Sequence, residues 1–328
     1  MRPKEYRIKE LLREKGLDGA IVSSPENFHY VTGFGGHQHT VSRQPGFTLA
    51  VMRADDKVPT HLTTMDFEAA TFRIKAAGLN FVVDPYDTWV GLKTWDEIAH
   101  GAVVPDKTAM ESSMDKLVQF MKACDLANKK VGVELDYLPV PYYKSLTEKF
   151  PEAEFVDISD LFVYARSVKQ PDEIEMFRNL CRIADHGFTE VSKIAKIGVS
   201  ERELAQCFRE DVIKSGFCAP SSWSMFSTGP SSARLTLPGD GVVKDGDVVK
   251  FDAGVNAEFD FYTTDTSRAW IIGNGDPALL KLKDRLYEGQ RRMIAAAKPG
   301  LPINELYHTA YDYVKEMFPC YRRGHQGH

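Results

Sequence analysis

The stretch Val249–Trp270, VKFDAGVNAEFDFYTTDTSRAW, decides how the rest of the chain is read. Val248, Val249 and Phe251 make an apolar, β-branched run ending in Asp252-Ala253-Gly254, the pattern of a strand emptying into a tight turn. Phe259, Phe261 and Thr263 alternate with Asp260, Tyr262 and Thr264, which reads as a second strand returning to Asp265. An antiparallel pair of this kind brings Asp252 and Asp265 toward one spot. Two carboxylates held together repel unless a proton or a cation lies between them, and a divalent metal ion is the natural occupant. The competing reading makes Asp252 a turn residue and Asp265 the ion-pair partner of Arg268. Spacing alone leaves both open.

The residue types add to the spacing. D-A-G followed by Y-x-x-D-x-x-R resembles the paired-aspartate motif of the creatinase/aminopeptidase "pita-bread" family, which includes Xaa-Pro peptidases, methionine aminopeptidases and creatinases. Asp252, Gly254, Tyr262, Asp265 and Arg268 fall on the motif's positions. The interval between the aspartates is two residues longer than the family's, and Phe261 replaces the glycine before the tyrosine. The resemblance implies that both aspartates are metal ligands, with Tyr262 and Arg268 supporting them.

Bulk properties are those of a folded, water-soluble chain. The 328 residues are 43% hydrophobic and 27% charged, enough for one large or two ordinary domains with a real core. A net charge of −5 lends no support to nucleic-acid or anionic-membrane binding. No apolar run approaches the roughly 18–20 residues that span a bilayer. The N-terminus is a charged amphipathic segment without a signal-peptide core. Cys124, Cys181, Cys207, Cys218 and Cys320 are odd in number and scattered, which favours reduced thiols and a cytoplasmic location over a disulfide framework.

Upstream, helical and strand patterns alternate: a helix over Tyr6–Lys15, strands at Ala20–Val22, Phe47–Met52, Phe81–Val83, Lys130–Glu134 and Glu154–Asp157, and helices near Asp66–Ala77, Met114–Ala127 and Pro141–Lys149. This alternation predicts a small α/β domain over residues 1–160, with Leu161–Gln170 as the linker to a second domain over 161–328. No G-x-G-x-x-G, Walker or G-x-S-x-G pattern gives the first domain chemistry of its own. SSPENFHYVTGF and VGVELDYLPVPYYKSL resemble the creatinase/prolidase N-terminal domain, and ARSVKQPDEIEMFRNLCRIADHG resembles the entry helix of the catalytic domain. His29 reads as a packed or hydrogen-bonding residue. His37 and His39, in the loop GGHQHTVSRQPG, read as solvated. Arg43 in the same loop is a candidate substrate contact, because its planar fork suits a carboxylate and because this region reaches the other subunit's site in dimeric relatives.

An internal repeat follows. At an offset of 102 positions, Leu180, Gly187, Ala195, Lys196, Gly198, Glu203, Leu204, Val212 and Cys218 meet identical residues, from Leu282 to Cys320. Both copies read as helix, glycine, helix, then a turn toward strands. The fold class expected is therefore an α/β N-terminal domain joined to an α+β pita-bread domain with duplicated halves, the second half incomplete.

Two further stretches carry the family's pattern imperfectly. Gly246-Asp247 matches the turn before the first metal strand. The position where peptidases of the family keep a histidine bordering the substrate falls on Thr236, a neutral hydroxyl that cannot supply an imidazolium. At the other end, RRGHQGH resembles the opening of the metal-histidine motif, with His328 in the best register and His325 the alternative. The family's further histidine and two glutamates would lie beyond His328, so the chain reads as a truncated copy of a longer enzyme and, as written, as a poor catalyst.

What the resemblance implies for the whole enzyme is hydrolysis of an amide C–N bond by two divalent metal ions (Mn, Co, Zn or Fe) on Asp252, Asp265 and His328, with Arg43, His325 and Thr236 near the substrate. The leading substrate is a peptide with proline after the scissile bond, and the assembly expected is a homodimer without nucleic-acid or membrane partners. The rival readings are a creatinase-like enzyme acting on a small nitrogenous or zwitterionic metabolite, favoured by Thr236, and a non-catalytic binding protein with the same shell.

Overall fold

In the computed structural model, which describes residues 3–88, 94–101, 107–216 and 218–326, Gly19–Val22 (β1) is buried at every position. A strand covered on both faces must be apolar throughout, and Gly-Ala-Ile-Val is. It lies inside a six-stranded mixed sheet with Leu49–Arg53 (β2), Thr60–Thr63 (β3), Phe81–Val83 (β4), Lys130–Val133 (β5) and Glu154–Asp157 (β6), in the order β4-β3-β2-β1-β5-β6. β1 runs antiparallel to β2 and parallel to β5.

Alternate residues of this sheet enter two separate cores. Ala20, Val22, Ala50 and Met52 meet Ile8 and Leu12 of Glu5–Glu14 (α1), Phe28 and Val31 of Pro25–Thr32 (α2) and Phe72 of Ala69–Ala76 (α3). On the other face Ile21, Val51, Val131 and Val133 meet Leu117 and Phe120 of a later helix. That helix follows Trp95–Ala99 (α4) and spans Ala109–Ala123 (α5), with Val140–Lys149 (α6) behind it. α5 begins five residues before Met114, the predicted start. Thr108 caps it in a capping box with Glu111, and the exposed first turn carries little of the apolar pattern.

The predicted linker is helical. Ser159–Ser167 (α7) buries Leu161, Phe162 and Ala165 in the core beside α1, so apolar spacing, not connection, governs this stretch. Pro171–Ile194 (α8) follows.

Contacts divide the chain into two units, Met1–Phe177 with Glu258–Tyr262, and Arg178–Ala257 with Thr263–His328. In the second unit Met225–Thr228 (β8), Val248–Ala253 (β9) and Thr266–Ile271 (β11) form an antiparallel sheet in the order β11-β9-β8, while Cys218–Pro220 (β7) pairs with Val255–Ala257 (β10). Glu201–Lys214 (α9) lies over β7 and β8. A capping box, Ser200 with Glu203, closes its N-terminus. An aromatic chain holds sheet to helix: Phe188–Phe208 at 5.1 Å, Phe208–Phe226 at 5.6 Å, Phe226–Phe251 at 5.1 Å and Phe251–Trp270 at 4.5 Å between centroids.

The repeat is visible in three dimensions. Pro277–Ala296 (α10) and Ile303–Met317 (α11) reproduce the end of α8 and the start of α9 at the same offset, Ile194 with Ala296 and Glu201 with Ile303. A Cβ on Gly187 would meet the Phe208 ring, and a Cβ on Gly289 would meet Val314, with the Ala310 carbonyl next nearest. Gly187 and Gly289, like Phe208 and Ala310, are repeat equivalents. Each helix pair crosses at a missing side chain.

All five cysteines are free. Among the described residues no helix is long and apolar enough to cross a membrane.

Candidate metal centre

The β9 ladder fixes the aspartates. Burial alternates along the strand, with Val249, Phe251 and Ala253 facing the aromatic core and Lys250 and Asp252 facing away. Ser267 of β11 lies opposite Asp252 and Thr266 opposite Ala253. The same ladder continues to the bridge between Asn256 and Thr263, which sets Asp265 opposite Gly254. Asp252, Gly254, Asp265 and Ser267 therefore share one face, with the two carboxylates on a diagonal. Diagonal neighbours in an antiparallel pair stand roughly 7–8 Å apart at the backbone, within reach of a shared ion.

This placement corrects one detail of the sequence reading. Asp252-Ala253-Gly254 is not a turn, and Phe259–Thr263 is not a strand beyond its single bridge. The chain stays extended through Gly254 into β10, because Val255 and Ala257 are buried and pair with β7. Gly254 is required by close approach: a Cβ there would run into the Thr264 carbonyl oxygen, the Ser221 hydroxyl and the Trp223 ring. The glycine thus lets these groups close in beside the carboxylates. It also identifies two neighbours of the site that sequence reading missed, Ser221 and Trp223, whose stretch SSWSMF carries no motif.

Ser221 is fixed from several sides. Its N–H donates to the Gly254 carbonyl at 2.9 Å and its hydroxyl to Asn256 Oδ1 at 3.1 Å. Lys250, on the aspartate face, donates from Nζ to the Arg234 carbonyl at 2.8 Å. This ties down the irregular segment that carries Thr236, whose own hydroxyl donates to the Leu237 carbonyl at 3.2 Å. Arg268 is engaged by Asp185 at 2.8 Å and lies over the Phe188 ring.

The hairpin tip, Glu258–Tyr262, belongs to the first unit. Asp260 pairs with His29 Nε2 at 3.2 Å, and this hydrogen bond holds the carboxyl below its usual range. His29 is 4% exposed, as expected of a packed, hydrogen-bonding residue. Phe261 takes a left-handed backbone, φ 59°, at the position where the family motif has glycine, and its ring stands edge-on to His29 at 5.7 Å. Such a conformation costs a non-glycine residue about 1–2 kcal/mol, which the aromatic contact offsets. Tyr262 does not support the aspartate face. Its hydroxyl donates to Glu173 at 2.7 Å and its ring meets Phe177. Burial and that carboxylate push the phenol above its ordinary range.

The other predicted residues are dispersed. Arg43, in the first unit, has φ 50° and pairs with Glu26 through both nitrogens, at 2.7 and 3.3 Å. Against the upward pull of burial, this pairing holds Glu26 below the usual carboxylate range. His37 is exposed, whereas His39 is 2% exposed with Nε2 on the Ser23 carbonyl at 2.8 Å. The pair does not chelate, and the expectation that His39 is solvated is overturned. Residues 38–42 form a π-helical turn that carries its ring inward against Phe28. His325 is exposed, its carbonyl accepting from Arg323. His328 lies outside the described residues.

Asp252 and Asp265 offer hard oxygen donors on one face, the donor chemistry that a divalent cation takes. They are a partial set, since no cluster of three or more metal-binding side chains occurs among the described residues.

Comparison with known proteins agrees with this geometry. The profile of the creatinase/prolidase N-terminal domain matches residues 6–168, and that of metallopeptidase family M24 matches residues 175–328. The Xaa-Pro dipeptidase of Pyrococcus furiosus is 29% identical over 319 residues, covering 96% of this chain and 78% of the dipeptidase. An uncharacterized peptidase of Bacillus subtilis is 24% identical, covering 94% and 76%. Among solved structures, an Xaa-Pro dipeptidase from Bacillus anthracis superposes with a TM-score of 0.74 at 22% identity, covering 95% of this chain and 76% of that one. An X-Pro aminopeptidase from Thermotoga maritima gives 0.70 at 21%, covering 96% and 78%. The paired aspartates astride Gly254, the duplicated helix crossings and the mixed sheet before them thus have one explanation: the chain belongs to metallopeptidase family M24, a family of metal-dependent hydrolases, and joins that pita-bread fold to a creatinase/prolidase N-terminal domain.

Proposed function

We propose that this chain is an Xaa-Pro peptidase that cleaves the amide bond before a proline, with two divalent ions, manganese among the candidates, on Asp252, Asp265 and His328. The observation that carries the reading is the shared face of Asp252 and Asp265 on either side of Gly254. When bound, the ions supply a water of lowered pKa and polarise the scissile carbonyl. The chain's own part is positional. The ladder holds the carboxylates at a fixed diagonal, the aromatic core behind β9 stops the strand from shifting, and Ser221 and Trp223 border the space a substrate enters. Arg43, Thr236 and His325 remain proposed substrate contacts, and for Arg43 this requires displacement of Glu26. A cytoplasmic homodimer is the expected setting.

Calorimetric titration with Co(II) tests the metal assignment. Asp252→Asn should weaken binding roughly 100-fold or more, beyond the loss caused by removing an outer-shell partner. Undiminished cobalt binding in that variant overturns the reading. Trp223 gives a second expectation. With an Xaa-Pro dipeptide as substrate, Trp223→Ala should raise KM by about two- to tenfold while changing kcat less, the worth of one aromatic packing contact.

A further inference from the structure

Glu201, the first residue of α9, is a buried acid to which the metal reading gives no task. Its carboxylate gathers donors from two separate places in the chain. Oε1 accepts from the Thr228 N–H at 2.8 Å and from the Ser231 hydroxyl at 2.6 Å, and Oε2 accepts from the Gly239 N–H at 2.7 Å. One buried group thus holds both ends of the segment 229–239. Just beyond it the Glu201 N–H donates to the Gly241 carbonyl at 2.9 Å, and a Cβ on Gly241 would run into the Glu201 carboxyl group. Apolar burial does not hold this segment. None of residues 229–241 is buried, and Leu235 and Leu237 are 81% and 60% exposed. The bonds of Ser232, Arg234 N–H and Thr236 close within the segment itself. Among the described residues, and apart from the adjoining Thr228, the hydrogen bonds that tie 229–239 to the fold are those to Glu201 and the one from Lys250 to the Arg234 carbonyl.

Lys250 stands two residues before Asp252 on the same face of β9. The segment is therefore fastened at its ends from α9 and in its middle from the strand that carries the aspartate. We propose that Glu201 is a positioning residue for substrate binding: it sets the segment 229–239, and Thr236 with it, beside the aspartate face while touching neither ion nor peptide. This rests on the peptidase reading above. A carboxylate suits the task because each of its oxygens can take donors, so one side chain serves both ends. A glutamine at this position keeps an acceptor for one end and turns an amide NH2 toward the donor at the other.

Hydrogen exchange on the full chain, beside steady-state hydrolysis of an Xaa-Pro dipeptide, tests this. Glu201→Gln should speed exchange in residues 229–240 about tenfold while residues 248–253 of β9 keep wild-type protection. KM should rise about three- to tenfold with less change in kcat, and Co(II) affinity should stay at the wild-type value. Gly241→Ala, whose methyl presses on the same carboxyl group, should act in the same direction and serves if Glu201→Gln folds poorly. Unchanged exchange in 229–240 overturns the proposal, as does a loosened segment with an unchanged KM. So does a Co(II) affinity that falls in step with KM, because Glu201 would then act through the ion-binding strand. A wild-type chain that cleaves no Xaa-Pro dipeptide overturns the peptidase reading and this one with it, a result distinct from an active wild type with indifferent variants.

Discussion

Urea denaturation repeated between pH 7 and pH 4 should show about 3 kcal/mol of stability disappearing on the account of one imidazole, His39. Burial lowers its pKa from 6.5 to about 4, because a charged ring there is taken out of solvent and the Ser23 carbonyl compensates only in part. Nδ1 has no hydrogen-bond partner among the described residues. The folded state therefore refuses a proton that the unfolded chain accepts below pH 6.5. The stabilisation is complete above that pH and is lost as pH falls toward 4. Carboxylates held low in the fold, such as Glu26 beside Arg43 and Asp55 beside Arg53 at about 2, begin to lose their contribution as pH falls below about 5 and add to the same slope, so a variant that cannot titrate at position 39 is what isolates the imidazole. His61 is also lowered by burial and works in the same direction. His39→Gln, which keeps a donor for Ser23 but cannot titrate, separates the two. The slope between pH 6.5 and 4 should fall by most of the 3 kcal/mol in this variant. An unchanged slope sinks the assignment.

Glu134→Ala should cost about 3–5 kcal/mol, the penalty for breaking up a buried charged cluster. Glu134 is fully buried at the end of β5, and burial pushes its carboxyl above the usual range. Its shell consists only of donors: the N–H groups of Ser23 and Ser24, both serine hydroxyls and the Asn27 amide, with Ser24 Oγ at 2.7 Å and Ser24 N at 3.0 Å. Asn27 in turn accepts from Arg166 at 2.7 Å. Removing the carboxylate strands these donors at the first turn of α2. Glu134→Gln keeps one acceptor oxygen but turns an amide NH2 toward donors, so it should fall between wild type and alanine. Hydrogen exchange at residues 24–28 should rise in the same order. A midpoint for Glu134→Ala within error of wild type refutes the account.

These two residues show where reading a sequence stops. Asp252 and Asp265 were legible because their chemistry sits in one local motif, and the strand's period of two carries them to one face. The duplication was legible because nine identities at one offset need no folding to be seen. Ser221, Trp223 and Glu134 were not, because what matters is the partner each meets from 33, 31 or 111 positions away, and nothing in SSWSMF or GVELDY announces it. Gly254 was misread for a related reason. A glycine after an aspartate looks like a turn locally, and only the approach of Thr264 shows that it marks a close backbone contact. His39 looked like a loop histidine until a π-helical turn carried it under Phe28.

The ladder through Gly254 also decouples two things that a tight turn would have tied together. Pairing positions, not the length of chain between them, set how far apart the two aspartates stand. Residues can be spooled out beyond Ala257 or reeled in before Thr263 without disturbing that separation. Asp260 and Phe261, at the tip, are held by their own contacts with His29 and not by the ladder. A lineage can therefore remodel the tip freely while the chemistry beneath it stays where it was.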